Sequence, residues 1–402
     1  MRVRVVGKGP VALSFGLLLA RQGIAPARIE LDATRGALPQ AMALRTLALS
    51  AGSWQLLARI CAQPPAAPIP AAPIHAIEVS LQGHPGRVRL GADEHGVPAL
   101  GHVVRYPALC DALLDAAAPV GFAAPGSFGT DRRAASDDLL IVHAEGDTGD
   151  EADQREFAQS AIVAELTARA PEPGVAYERF TAEGPLALLP LPEADRYALV
   201  WCCGHDDAQR RAASDDAAFA AALQAAVGPR WSIRRVETPR VAMPLRRKRR
   251  RQTIAGREVW IGNAAQALHP VAGQGFNLGL RDAFVLAAEI GRRPARARDG
   301  HAGLHADRSV AHATRSIGHA PPGIGHADRG AGHADHDVTQ ALARYEQARR
   351  SDRARAIGLT DLLARVFTIG PLQAAESVAL TALDLHAGAR DWLARQMMFG
   401  VR

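Results

Sequence analysis

GNAAQALHPVAGQGFNLGLRD, residues 262–282, sets a glycine-rich turn directly ahead of a helix. The residues before it, Glu258, Val259, Trp260 and Ile261, form a short apolar segment of strand type. Within the turn, Gly262, His269-Pro270 and Gly273-Gln274-Gly275 ask for backbone angles and close approaches that most residues resist. After it, Phe276, Leu280, Phe284, Ala287 and Ile290 fall near helical spacing. A helix starting there points its free N–H groups and the positive end of its dipole at whatever the turn cradles.

A second glycine cluster stands at the other end of the chain. Residues 2–6, RVRVV, read as a strand, residues 11–21 as a helix closed by Gly23, and residues 28–32 as a second strand, which is a βαβ opening. Its turn, Gly7-Lys8-Gly9-Pro10-Val11-Ala12, has the G-x-G-x-x-A form of a dinucleotide fingerprint. Gly7 and Gly9 let the backbone approach a pyrophosphate, and Ala12 lets helix and strand touch. Asp32 follows Gly7 by 25 residues, where a carboxylate can accept from ribose hydroxyls.

The bulk properties fit a globular protein. A chain of 402 residues with 48% hydrophobic and 5% aromatic content can bury a substantial core, and its alanine richness points to small-residue packing. The net charge of +6 is modest and is concentrated in residues 246–251, RRKRRR, so nucleic-acid binding is not expected. That run reads as a solvated loop; attraction of cofactor phosphates or of an anionic membrane surface is the alternative. Cys61, Cys110, Cys202 and Cys203 form no CxxC, which fits neither a disulfide framework nor a zinc site and suggests a reducing cytoplasm. MRVR followed by an apolar stretch imitates a secretion signal, but Lys8 and the cluster of Gly7, Gly9 and Pro10 interrupt it. No run reaches the roughly 18 apolar residues needed to span a bilayer.

The wording of residues 262–282 resembles the third FAD fingerprint of the FAD-dependent aromatic monooxygenases, in the form carried by their ubiquinone-biosynthesis hydroxylase branch. Residues 45–50, 73–80 and 101–117 resemble the same branch, as do Tyr345, Arg349 and Asp352 within a helix over 342–352. The resemblance implies an α/β fold: a Rossmann-like FAD-binding domain with an interleaved β-sheet substrate domain, like para-hydroxybenzoate hydroxylase, and C-terminal helices. The expected division gives the FAD-binding domain residues 1–60, 101–155 and 251–292, and the substrate domain 61–100 and 156–250. A low-complexity insertion occupies 293–337 and a helical region 338–402.

The same resemblance assigns roles. Gly7, Gly9, Ala12, Asp32, Arg45, Arg105, Gly262, Asn263, Pro270, Gly273, Gln274, Gly275, Phe276 and Asn277 are expected to bind FAD, with Arg45 and Arg105 lying against the cofactor. His269 and Pro270, on the flavin-facing loop, are the candidate catalytic residues. Reduced FAD activates dioxygen, and an electron-rich phenol ring attacks the activated oxygen, so no serine triad, paired carboxylates or metal cluster is required. Electrons come from NADPH or NADH docking transiently, since Gly323-Ile324-Gly325 follows no strand and makes no second fingerprint.

The expected substrate is a lipid-tailed phenol or quinone precursor of ubiquinone biosynthesis, met in the cytoplasm at the surface of the inner membrane. Leu362, Leu363, Val366 and Phe367 offer a small apolar face for that contact, although core packing accounts for them equally well. A quinone-biosynthesis complex is a further expected partner.

Several stretches stand apart. His305, His312, His319, His326 and His333 recur every seven residues in units without apolar a and d positions, so this is no coiled coil. A solvated, disordered insertion fits that composition, with metal binding as the alternative. The family's Asp-Gly motif is replaced by Glu145-Gly146, and residues 118–139 are too few for every strand the family has there. Asn263 stands where the wider superfamily has an acid, and its amide can still serve a ribityl hydroxyl. These departures keep two rivals open, a non-catalytic accessory subunit and a flavin reductase that never inserts oxygen.

Overall fold

The computed structural model describes residues 1–61, 68–129, 138–146, 151–268, 274–292 and 331–366, with isolated positions beyond. His269, Pro270, Gly273, Phe367 and most of the histidine repeat lie outside the described residues.

The opening βαβ unit forms as its residues require. β1 (Arg2–Val6) leads through the glycine turn into α1 (Pro10–Arg21), and β2 (Ile29–Leu31) lies parallel to β1 with Val3 opposite Ile29. Gly7 has a φ of +132°, and a Cβ there would sit 2.9 Å from the backbone of Ala144, so no other residue fits where strand becomes helix. Pro10 opens α1, because the first N–H of a helix has no partner within it anyway.

The chain then alternates between sheets. α2 (Gln40–Ala43), β3 (Thr46–Ser50), α3 (Ala51–Cys61), β4 (Ala71–Ile74), β5 (Ala76–Leu81), β6 (Arg87–Gly91), β7 (Gly101–Arg105) and α4 (Tyr106–Ala117) precede β8 (Leu139–His143). Next come β9 (Ala152–Arg169), β10 (Val175–Thr181), β11 (Gly184–Pro190) and β12 (Arg196–Gly204). They are followed by α5 (His205–Ala213), α6 (Asp216–Val227), β13 (Ser232–Val236) and β14 (Val241–Arg250). The last elements are β15 (Ile254–Ala255), β16 (Glu258–Trp260), β17 (Gln266–Ala267), α7 (Gln274–Gly291) and α8 (Ala331–Val366).

Three sheets result. The first has the order β15-β16-β8-β1-β2, parallel from β16 to β2. The second runs β17-β14-β9-β12-β11-β10-β5-β6 with β13 beside β9, and the third is β3-β7-β4. The chain supplies β5 and β6 to the large sheet, returns to the parallel sheet for β8, goes back for β9 to β14, and returns again for β15 and β16. The fold is therefore an α/β unit built on a parallel sheet, interleaved with a β-sheet unit.

The basic run at 246–251 is not a loop. It continues β14 antiparallel to β9, with Arg250 bonding Glu151 at 2.7 Å and Arg251 bonding Asp153 at 2.9 Å. Arg250 also stacks over the Trp260 ring at 3.7 Å. Charge count alone suggests solvation; the acids that answer these cations lie nearly a hundred residues away in sequence, and only strand pairing brings them near.

α7 is seated on bare backbone. A Cβ on Gly279 would lie 2.9 Å from the Cα of Gly262 and 3.1 Å from Val11, so two glycines of the quoted stretch let α7, α1 and the turn meet. Asp282, fully buried, accepts from the Gly262 N–H at 3.1 Å, from Gln266 at 2.9 Å, from Arg349 at 2.8 Å and from Arg353 at 3.2 Å. Burial would raise its pKa, but Arg353 and Arg349 overcome that and hold the carboxyl below its ordinary value. α8 begins at Ala331, inside the tail of the histidine repeat, earlier than composition predicts. Among the described residues no helix is long and apolar enough to cross a membrane.

Candidate functional site

Two cavities adjoin. The first, about 260 Å³, opens where β1 and β8 end and α1 begins, and is lined by Lys8, Gly9, Pro10, Val11, Ala144, Glu145 and Gly146 among others. The second, about 360 Å³, lies between the turn ahead of α7 and the open face of the large sheet, and reaches Gly275. Arg45, Leu47, Asn263 and Phe276 line both. The two glycine clusters, more than 250 residues apart in sequence, thus face one continuous cleft.

The other expected site residues fall into distinct places. Gly7 and Ala12 shape the turn from behind: Gly7 passes against the backbone of Ala144, and Ala12 is fully buried. Asp32 ends β2 with its carboxylate held by Lys8 at 2.7 Å and by the Thr34 hydroxyl at 2.6 Å. Burial opposes ionisation there, but those partners keep its pKa below the usual carboxylate value. Gly262, at φ +59°, supports α7, and Asn277 is buried, accepting from the Ser50 N–H at 2.9 Å and donating to the Ala48 carbonyl at 2.9 Å. Asn277 therefore ties α7 to β3, the strand whose start carries Arg45. Gln274 begins α7.

The two expected arginines differ. Arg45 lines both cavities, no carboxylate pairs with it among the described residues, and burial lowers its pKa against the opposing pull of Tyr106. A half-buried guanidinium without a carboxylate suits an anionic ligand. Arg105 is already engaged, bonding Glu165 at 2.7 and 2.9 Å and Glu193 at 2.9 Å, and those carboxylates raise its pKa. It lines neither cavity.

The second cavity is a chamber floored by the large sheet. Ala161, Ala176, Ala187, Val163, Val200 and Leu189 give it a mostly apolar lining of small side chains. Glu178 and Cys202 interrupt it. Burial raises the Glu178 pKa from 4.5 to about 7, and burial, with Glu178 nearby, pushes up the Cys202 thiol.

Sequence reasoning misses some of this lining. Tyr106 stands at the first cavity, its hydroxyl 3.5 Å from where a Gly9 Cβ would be, and burial pushes its pKa up to about 12. Its position directly after Arg105 is the available signal. Met42 carries no signal, lying in a four-residue helix of ordinary composition. Glu145-Gly146, noticed as a departure, lines the first cavity beside Gly9.

Comparison with known proteins agrees with this geometry. Residues 126–303 match the FAD binding domain family. The ubiquinone hydroxylase UbiL of Rhodospirillum rubrum is 28% identical over 57% of this chain and 45% of its own length. The 3-demethoxyubiquinol 3-hydroxylase of Escherichia coli is 28% identical over 71% of this chain and 78% of its own. The matched region thus spans less than half of the Rhodospirillum protein. The fold is shared with pqsL, a probable FAD-dependent monooxygenase from Pseudomonas aeruginosa, at a TM-score of 0.65 and 16% identity over 94% of this chain and 99% of that one. The fingerprint cleft and the interleaved sheets thus agree with a chain that carries a match to the FAD binding domain family over residues 126–303, shares its fold with a probable FAD-dependent monooxygenase, and is similar to ubiquinone-biosynthesis hydroxylases.

Proposed function

We propose that the chain hydroxylates the aromatic ring of a polyprenyl phenol or quinone precursor in ubiquinone biosynthesis, using FAD, dioxygen and NADPH or NADH. One observation carries the reading: a single wall of Arg45, Leu47, Asn263 and Phe276 joins the fingerprint turn to an apolar chamber. A dinucleotide laid along that wall has its phosphates at one end and its reactive ring at the other.

The residues present fit FAD. Gly9 and the uncapped start of α1 offer backbone N–H groups to a pyrophosphate, and Arg45 adds a cation. Asp32 keeps acceptor capacity beyond Lys8 and Thr34 for a ribose hydroxyl. Asn263, Gly275 and Phe276 lie where the ring would meet the chamber. The start of α7 would stabilise negative charge on that ring, and His269 and Pro270, in the turn before it, remain the proposed catalytic pair. When bound and reduced, FAD supplies the activation of dioxygen. The chain positions the substrate ring, keeps water out and fixes the approach. The names of the relatives support the quinone-precursor class of substrate, and a lipid tail places the work at a membrane surface, on its cytoplasmic side.

The purified protein should be yellow. Under labelled dioxygen with NAD(P)H, mass spectrometry of a prenylated phenol should show one labelled oxygen; unlabelled product would exclude hydroxylation. Glu145-Gly146, sitting in the first cavity where the family has Asp-Gly, favours a second reading as an accessory subunit. Flavin binding without reduction by NAD(P)H would support it.

A further inference from the structure

The register of the large sheet singles out one side chain on the chamber floor. Glu178 on β10 lies opposite Ala187 on β11, Ala187 opposite Val200 on β12, and Val200 opposite Val163 on β9. All four line the chamber, and only Glu178 can bear a charge. Buried acids of the chain are answered by cations: Glu30 by Arg4, Glu78 by Arg230, Glu165 by Arg105, and Asp282 by Arg349. No hydrogen bond or ion pair involves the Glu178 carboxylate among the described residues. A carboxylate partly buried without a partner is costly, and Glu178 lines a space of about 360 Å³.

We propose that Glu178 is a further catalytic residue: its carboxylate accepts the phenolic proton of a substrate ring lying on the floor of the chamber. The inference rests on the reading of the chamber as a phenol site and adds to it the group that activates the ring. The phenolic O–H bond breaks and an O–H bond forms on a Glu178 oxygen. The electron pair stays on the substrate oxygen and enriches the ortho and para carbons. Nothing is oxidised or reduced in this step, and the proton returns to the product oxygen.

The surroundings suit a proton acceptor. Burial brings the Glu178 carboxyl to about 7, the range in which a general base works near neutrality. Among the described residues, the other titratable or charged groups around the chamber are Arg45 ahead of β3, Arg246 on β14, Cys202 on β12 and Tyr177 on β10. Burial keeps the Cys202 thiol protonated. The Tyr177 ring packs edge-on against Trp231 at 4.7 Å, on the other face of the sheet, where Glu78 of β5 is paired with Arg230. Glu165 of β9 is held by Arg105 at 2.7 Å. Among the described residues, Glu178 is therefore the group of the chamber placed to accept a proton.

The test uses the full chain loaded with FAD, with 2-prenylphenol and its methyl ether as probes. In the wild type, kcat for hydroxylation should rise with pH through the titration of Glu178. Glu178→Gln, of nearly the same shape, should lower kcat about 100-fold and remove that rise, while FAD content and phenol binding persist. Equilibrium dialysis should show the wild type preferring the phenol to its ether by roughly tenfold or more, and Glu178→Leu bringing the two within about twofold. An unchanged pH profile in Glu178→Gln, or a preserved preference in Glu178→Leu, would overturn the assignment. If Glu178→Leu does not fold, the Glu178→Gln profile decides. A wild type that binds the probes with the expected preference and hydroxylates neither would sink the monooxygenase reading and leave Glu178 as the phenol's acceptor.

Discussion

Asp282 is a fully buried carboxylate and Glu178 a half-buried one, and their surroundings are opposite. Asp282, on α7, accepts from four donors, the Gly262 N–H, Gln266 of β17 and the Arg349 and Arg353 guanidinium groups of α8. Glu178 lies on a sheet among alanines and valines. The first is held ionised and binds the molecule together; the second is pushed toward its neutral form. A buried charge whose needs are met inside the chain is architecture. One whose needs are left open to a cavity is set up for a ligand.

Removing either carboxylate sharpens that contrast. Asp282→Ala strands Arg349 and Arg353 in the core and should cost about 3–5 kcal/mol, read as a lowered denaturant midpoint together with loss of bound FAD. A midpoint close to wild type would mean that the arginines have other partners and that the network is ornamental.

Glu178→Gln should act with the opposite sign. Between its ordinary value of 4.5 and about 7, folded Glu178 binds a proton that the unfolded chain has lost, so stability falls as pH rises through that window. Each tenfold difference in proton affinity between the two states is worth about 1.4 kcal/mol, so at about pH 8 the variant should be more stable by up to roughly 3 kcal/mol. Near pH 4.5 the two should melt together. A stabilised but inactive variant is the mark of a functional group kept at structural expense, whereas equal melting at high pH would place Glu178 in contact with water.

A smaller effect tests the seat that Asp282 maintains. Gly279→Ala drives a methyl against the Cα of Gly262 at 2.9 Å and should destabilise by about 1–3 kcal/mol while weakening FAD binding. Unchanged flavin affinity would show that α7 and the turn can separate without disturbing the cleft.

What the sequence disclosed, and what it withheld, follows the range of the interactions. The opening βαβ unit was legible because alternation, two glycines and a proline act over a few residues. The basic run misled, since its partners Glu151 and Asp153 are supplied by another strand. Arg105 and Arg45 look alike as letters in a chain; only the arrival of Glu165 and Glu193 separates them. Glu178 was hidden inside Tyr177-Glu178-Arg179, which has the charge pattern of any exposed strand. Its meaning depends on what β11, β12 and β9 place beside it.

The alanines of the chamber have one more consequence. Ala48, Ala161, Ala176 and Ala187 define the cavity by what they lack. Each could gain a methyl or two by a single codon change, trimming the room available to a ring or its tail while the carboxylate and the flavin wall stay in place. What the chamber admits can thus drift in small steps independently of the groups that line the cleft, so descendants of one such chain can come to differ in what they admit before they differ in what they do.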